Sequence, residues 1–489
     1  MIEEKDLGRV CHFILDTYFE QLECVETMRK SKFFKLAYLL TRFDSEFIKG
    51  NAESRKAFMK WAIHRKAPRA MSKQHYVMRM ENALSQLKQE VSYKLLPEEL
   101  FEMTPQEYKR MKREKEIQKI HEIMAAYEGK KVFVFPDVVD WNIPLFQRPQ
   151  QVAMALSHEN VLFIYVTPNY RDRIWQVTQV KEHCYLITKD LLMDVLEIAG
   201  EHHLETVLNI YSTDNLHSLE EINGWKKFGS SILYEYIDEI STEITGVVPK
   251  LTMDRHRAFL KDENVFVLAT ADKLYQEVLE LRGSSVNTLN SGNGVDCEHF
   301  EGKTDISLVP DKIRPIIEKN KPVIGYFGAI ANWFDFELIK YSAQSRPDYE
   351  FLMIGPQYGS HDMSVLEELK KIPNLHFVGT VEYKVLPYVA NHFTVATIPF
   401  QINEITESTS PIKLFEYMAM GKPCVTTAMR ECFKYPVVKV AKNQEEYVMM
   451  LDQAVQEADD AACIAQLKAV ADQNSWRQKA REMMQLLGG

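Results

Sequence analysis

The sequence lacks any cysteine pattern: its seven cysteines are scattered, odd in number, and form no CxxC pair. That excludes a disulfide framework and a cysteine-based zinc site, and it suits buried thiols in a reducing compartment. No apolar run approaches the roughly 20 residues that a bilayer crossing needs. The opening MIEEKDLGRV has neither the basic start nor the apolar stretch of a signal peptide. The expectation is a cytoplasmic protein, at most peripheral on the inner face of the cell membrane. Chemical signatures are missing too. There is no Asp-x-Asp, no GxxxxGK[ST] phosphate loop and no GxSxG elbow. His202 and His203 are adjacent rather than at the i, i+4 spacing of a helical metal pair, so no metal is expected. GNG at 292–294 is too short for a dinucleotide fingerprint and reads as an interdomain turn.

What is present is the composition of a globular chain, 46% hydrophobic and 11% aromatic. Its 489 residues are too many for one core and ample for two domains plus an extension. The formal net charge of −10 hides an asymmetry: residues 28–79 hold 14 Lys/Arg against 3 Asp/Glu, interleaved with apolar side chains as in KSKFFKLAYLLTRF. Such a face suits an anionic membrane surface or a protein partner, or is simply the solvated side of a helical cap. No nucleic-acid motif accompanies it, and no nucleic acid is expected as a partner. Residues 1–129 read as an all-helical, basic extension that ends at Gly129. From Lys131 onward, apolar strand-like runs (VFVFP, VLFIYVT, CYLIT, VLNIYS, SILYEYID, VFVLATA) alternate with helical stretches. A second alternating set begins near Lys321 with PVIGYFGAI, EFLMIGP, LHFVGT, FTVATIPF, CVTTA and VVKVA. Continuous apolar strands between helices predict parallel sheets covered on both faces, hence two doubly wound α/β domains with crevices at their strand carboxyl ends.

Between two of those strands lies STSPIKLFEYMAMGKP, residues 408–423. It spells a short helix: Ser410 as N-cap, Pro411 at the first position and Gly421 just past the end. A helix start offers free amides and partial positive charge to a phosphate; Lys413 would add a full charge, and Glu416, one turn on, suits a ribose diol. Locally, a cap plus a solvated Lys–Glu pair explains the same letters.

With its flanking segments this stretch resembles the retaining GT-B glycosyltransferases of the glycosyl transferases group 1 family, or family 4. GNGVDCEHF, GYFGAIANWFDFELI, NLHFVGTVEYKVLPYVANHFTVATIPF and SPIKLFEYMAMGKPCVTT carry the resemblance. DVVDWNIPLFQRPQQVAMAL is similar to the first strand–loop–helix of a subgroup making bacterial surface polysaccharides of the teichuronic-acid type. The likeness spans roughly residues 131–489 and leaves the extension uncovered. It implies a Rossmann-like acceptor-side domain at 130–292, a Rossmann-like nucleotide-sugar domain at 293–473, and a helix at 474–489 crossing back. It also implies retaining transfer of a hexose from a nucleoside diphosphate sugar to a hydroxyl of a cell-surface polysaccharide or lipid-linked acceptor, with no cofactor.

Carried onto this sequence, the resemblance makes Lys413, Asp238 and Arg148 catalytic. Gly328, Ser408, Thr409, Ser410 and Glu416 would hold the donor, and Trp141, Gln147 and Glu239 the acceptor. Plainer readings stand beside these: Arg148 as a surface salt bridge next to the helix started by Pro149, Asp238 as a helix cap, Trp333 as core rather than a cleft platform. The sequence also departs from the family. The first of two glutamates eight positions apart falls on Ser408, a basic pair in the first C-terminal loop is replaced by Ala329 and Phe334, and a strand-end histidine is replaced by Ile237. These departures motivate an alternative, a non-catalytic GT-B subunit partnering another glycosyltransferase; a sugar-nucleotide epimerase is a third.

Overall fold

A computed structural model describes residues 102–143, 146–240, 248–358 and 367–488, with short pieces at 15–24, 26–27, 52–56, 59, 83–84 and 100. The chain divides into two units, 1–120 and 121–489. The basic block at 28–79 lies, apart from 52–56 and 59, outside the described residues.

In the first unit, helix α1 (Pro105–Ala126) begins where the sequence writes Thr-Pro-Gln-Glu. The Glu107 N–H donates to Thr104 Oγ1 (3.2 Å) while the Thr104 N–H donates to Glu107 Oε2 (2.8 Å), a reciprocal capping box with proline at the first helical position. Its Tyr108 stacks on Phe19 at 4.0 Å between ring centroids, within a small cluster of Leu15, Tyr18, Phe19 and Leu84.

The second unit holds two sheets. The first has eight strands, β1 (Lys131–Phe135), β2 (Leu162–Thr167), β3 (Thr178–Lys181), β4 (Cys184–Thr188), β5 (Glu205–Tyr211), β6 (Ser231–Tyr236), β7 (Phe266–Ala269) and β8 (Thr288–Asn290), in the order 3-4-2-1-5-6-7-8. Only the β3–β4 pair is antiparallel. The second has six parallel strands, β9 (Val323–Phe327), β10 (Glu350–Ile354), β11 (Leu375–Gly379), β12 (Val395–Ile398), β13 (Cys424–Thr427) and β14 (Lys439–Ala441), in the order 11-10-9-12-13-14. The apolar runs form these strands because both sheet faces are covered: β2 and β9 are buried along their whole length. Two doubly wound domains, as expected, make a GT-B fold.

In each sheet the chain leaves the first strand on one side and returns on the other, so β1 and β9 sit at topological switch points, where doubly wound sheets open a crevice at the carboxyl ends. Helix α2 (Arg148–His158) follows β1, and helix α3 (Ile412–Ala419) precedes β13. Helix α4 (Trp476–Leu486) returns to the first sheet, burying Trp476, Ala480 and Met483 in the core that holds Phe133 and Phe163. Arg481 of α4 pairs with both carboxylate oxygens of Glu159 at 3.0 Å each.

Candidate active site

The loops leaving β1, β6 and β9 meet the start of α3 around a cavity of about 380 Å³. Of the residues marked in the sequence, Gln147, Arg148, Asp238, Gly328, Thr409, Ser410, Lys413 and Glu416 line it. Trp141, Ser408 and Glu239 do not. Trp141 is buried edge-on between Phe146 and Tyr165, so its ring belongs to the core. The Ser408 hydroxyl donates to Glu239 Oε2 (2.5 Å), and the same oxygen pairs with Lys273 (2.6 Å), so the two side chains meet each other away from the cavity lining.

The helix start differs from its expected form by one residue. Pro411, not Ser410, is the N-cap, and no side chain caps α3. Ser410 is committed elsewhere: its Oγ accepts from the Asn293 N–H (3.2 Å) and its carbonyl from Asn293 Nδ2 (2.5 Å). The first amides of α3 are thus left without a side-chain cap, on the wall of the cavity. Gly421 closes the helix in the left-handed conformation at φ 68°, as its type predicts.

Lys413 projects over Phe400 (4.9 Å) and Tyr326 (5.8 Å) and forms no hydrogen bond or ion pair among the described residues. Burial pulls its ammonium down to about 8, with Glu416 opposing. Burial likewise pushes the Glu416 carboxyl up to about 8 against the pull of Lys413. The lysine therefore waits half-buried and unpaired. Gly328, at φ 141°, leaves room for it: a Cβ there would stand 2.8 Å from Lys413 Cε.

Arg148 is neither exposed nor a surface salt bridge. It is buried, its Nε 2.6 Å from Glu235 Oε2, and its Nη1 donates to the Gly292 carbonyl (3.2 Å) and to Asn293 Oδ1 (3.0 Å). Glu235 is satisfied on its other oxygen by Asn209 Nδ2 at 2.7 Å. Arg148 Nη2 has no hydrogen-bond partner among the described residues, and an unsatisfied buried donor carries a desolvation cost. Burial raises Asp238 on the same cavity to about 6, Arg148 opposing. Asn293 joins Arg148 to Ser410, and with it the first domain to the start of α3. The sequence offered one signal for this network: Glu235 is a charge inside the apolar run SILYEY. Asn293 was legible only as a turn residue.

A second cavity, about 1120 Å³, adjoins the first through Val138, Val139, Gln147 and Ala329. Trp333 lines it, and so does Asp137, which the sequence did not single out. Among the described residues no group of His, Cys, Asp and Glu is placed to hold a metal ion, and no helix is long and apolar enough to cross a membrane.

Residues 321–462 match the sequence model described as Glycosyl transferases group 1. The chain is 24% identical over 295 residues to TuaH of Bacillus subtilis (strain 168), covering 57% of this chain and 71% of that protein, whose name assigns it to teichuronic acid biosynthesis as a glycosyltransferase. Among solved structures it resembles HepE of Anabaena in complex with UDP and glucose (TM-score 0.52, 12% identity, 73% of this chain and 100% of the other). It also resembles sucrose-phosphate synthase from Thermosynechococcus elongatus (TM-score 0.51, 14% identity, 73% and 98%). At such identities the structures speak for the fold alone. Fold and matched segment agree: the chain has the GT-B fold, and its residues 321–462 match the family described as Glycosyl transferases group 1.

Proposed function

We propose that this glycosyltransferase moves a hexose, with retention, from a nucleoside diphosphate sugar to a hydroxyl of a cell-surface polysaccharide or lipid-linked acceptor. The observation that carries the donor site is the unpaired Lys413 ammonium beside the uncapped start of α3. Arg148 Nη2, also unpartnered, belongs to the same cavity. An anion is what these donors lack, and a diphosphate has the oxygens to satisfy them. Glu416 on the same wall would take the ribose hydroxyls. The HepE complex with UDP and glucose makes a uridine diphosphate sugar the first donor to try.

In the proposed reaction the bond from the anomeric carbon to the diphosphate breaks while the bond to the acceptor oxygen forms on the same face. The acceptor proton passes to the departing diphosphate oxygen. Lys413 and the α3 amides stabilise the charge that grows there. Removal of one such donor typically costs about 2.7–4 kcal/mol of barrier. Lys413→Ala is therefore expected to lower turnover by about two orders of magnitude or more; a folded variant with near-normal turnover removes Lys413 from the mechanism.

The alternative, a non-catalytic partner subunit, draws on Ala329 and Phe334 standing where the family places basic residues. Isothermal titration with UDP and donor hydrolysis by the isolated chain separate the two. Binding without hydrolysis favours the subunit, and hydrolysis excludes it.

A further inference from the structure

Behind the second cavity lies a buried chain of charges that the donor site does not use. His217, at the end of the loop after β5, has a fully buried side chain set between two carboxylates, with Nδ1 2.9 Å from Asp214 Oδ2 and Nε2 3.0 Å from Asp137 Oδ1. Arg255 anchors the far end, donating to Asp214 Oδ2 (3.2 Å) and to the His217 carbonyl (2.7 Å). Asp137 stands at the near end, just past β1, and lines the cavity. Lys189 at the mouth reaches its other oxygen at 3.2 Å. An ionised carboxylate offers about four acceptor positions; His217 and Lys189 take two, which leaves each oxygen free to accept another hydrogen bond. The remaining wall is of the kind sugars bind, with the side chain of Gln147 beside the aromatic rings of Tyr170, Trp333 and Tyr358.

We propose that this second cavity receives the hydroxylated acceptor and that Asp137 accepts a hydrogen bond from an acceptor hydroxyl there, with His217 as the residue that positions it. The proposal rests on the donor reading for its direction of transfer. Burial opposes charge on both groups, yet the two carboxylates push His217 up to about 9, and His217 and Lys189 hold Asp137 below the usual carboxylate range. Asp137 thus stays ionised and is a weak base. It suits holding a hydroxyl better than taking its proton, which in the proposed reaction goes to the leaving diphosphate.

Saturation-transfer NMR on the full chain tests this, with a mixture of the methyl glycosides of glucose, galactose, N-acetylglucosamine and glucuronic acid as probe. At least one glycoside should receive saturation from the wild-type protein. Its signal should fall at least five-fold both in Asp137→Ala and in Leu216→Trp, an exchange at an exposed position on the cavity rim that spares the buried charges. In ¹⁵N spectra both His217 nitrogens should stay protonated at pH 7.5, and in Asp137→Asn that titration should move down by at least one pH unit. No saturation of any glycoside, or equal saturation in both variants, overturns the proposal, as does a neutral His217 at pH 7.5. UDP titration of the wild type, run in parallel, keeps the two readings apart. UDP binding without glycoside signals sinks the acceptor assignment alone, whereas glycoside signals without UDP binding sink the donor reading.

Discussion

A lysine ammonium and a glutamate carboxyl one helical turn apart, both in a poorly hydrated cavity, set the behaviour of the site at the residue scale. Desolvation penalises charge on each, so both titrate near pH 8. The signs add for an anionic ligand. As pH rises through 8, Lys413 loses its positive charge and Glu416 gains a negative one, and both changes repel a diphosphate. UDP affinity should be level below about pH 7.5 and fall steeply above 8.5 by titration calorimetry. Lys413→Arg, whose guanidinium stays charged, should soften that fall; an unchanged profile in this variant would mean that Lys413 is not its source. Glu416→Ala should weaken binding of UDP more than of inorganic pyrophosphate, since only the nucleotide brings a ribose. Equal losses would place Glu416 elsewhere.

At the scale of elements, the pair Arg148–Glu235 ties the first turn of α2 to the middle of the sheet at β6. Breaking a buried ion pair on one side leaves the other charge stranded, at a cost of about 3–5 kcal/mol. Arg148→Ala should therefore unfold at markedly lower denaturant than the wild type. Because the penalty is the stranded carboxylate, the double variant Arg148→Met, Glu235→Leu should regain part of the loss while remaining poor at binding UDP. Stability unaffected by Arg148→Ala would show that the pair does not hold α2 to the sheet. The same element-level view explains why α3 starts one residue later than its letters suggest: Ser410 has the right chemistry for a cap, but Asn293, distant in sequence, claims its hydroxyl and carbonyl first.

For the whole second unit, α4 is the segment that makes two domains of one chain interdependent. Its Met483 is fully buried in the core of the first sheet, whereas Arg481 reaches Glu159 across solvent. Met483→Ala should cost about 2–5 kcal/mol in chemical unfolding, as buried methionine truncations do, and Arg481→Ala should leave the melting temperature nearly unchanged. The reverse ranking would mean that charge, not apolar burial, fastens α4. Both sheets open their crevices toward the candidate site because β1 and β9 are switch points, and the loops after both strands contribute to its lining.

Read alone, the sequence determined the two sets of parallel strands, a short helix after Ser410 that ends at Gly421, and the approach of Lys413 and Glu416 to one face. Apolar runs and helix punctuation are local, and period and turn chemistry act over a few residues at a time. It also marked Gly328, whose missing Cβ makes room for the lysine. Only the tertiary structure decided which polar groups are already spent: Arg148 on Glu235, 87 positions away, Ser408 on Glu239, 169 positions away, and Trp141 on its aromatic neighbours. It alone set His217 between Asp137 and Asp214, because a hydrogen bond depends on distance in space, and the strand order that brings those loops together is written in no single stretch of the chain.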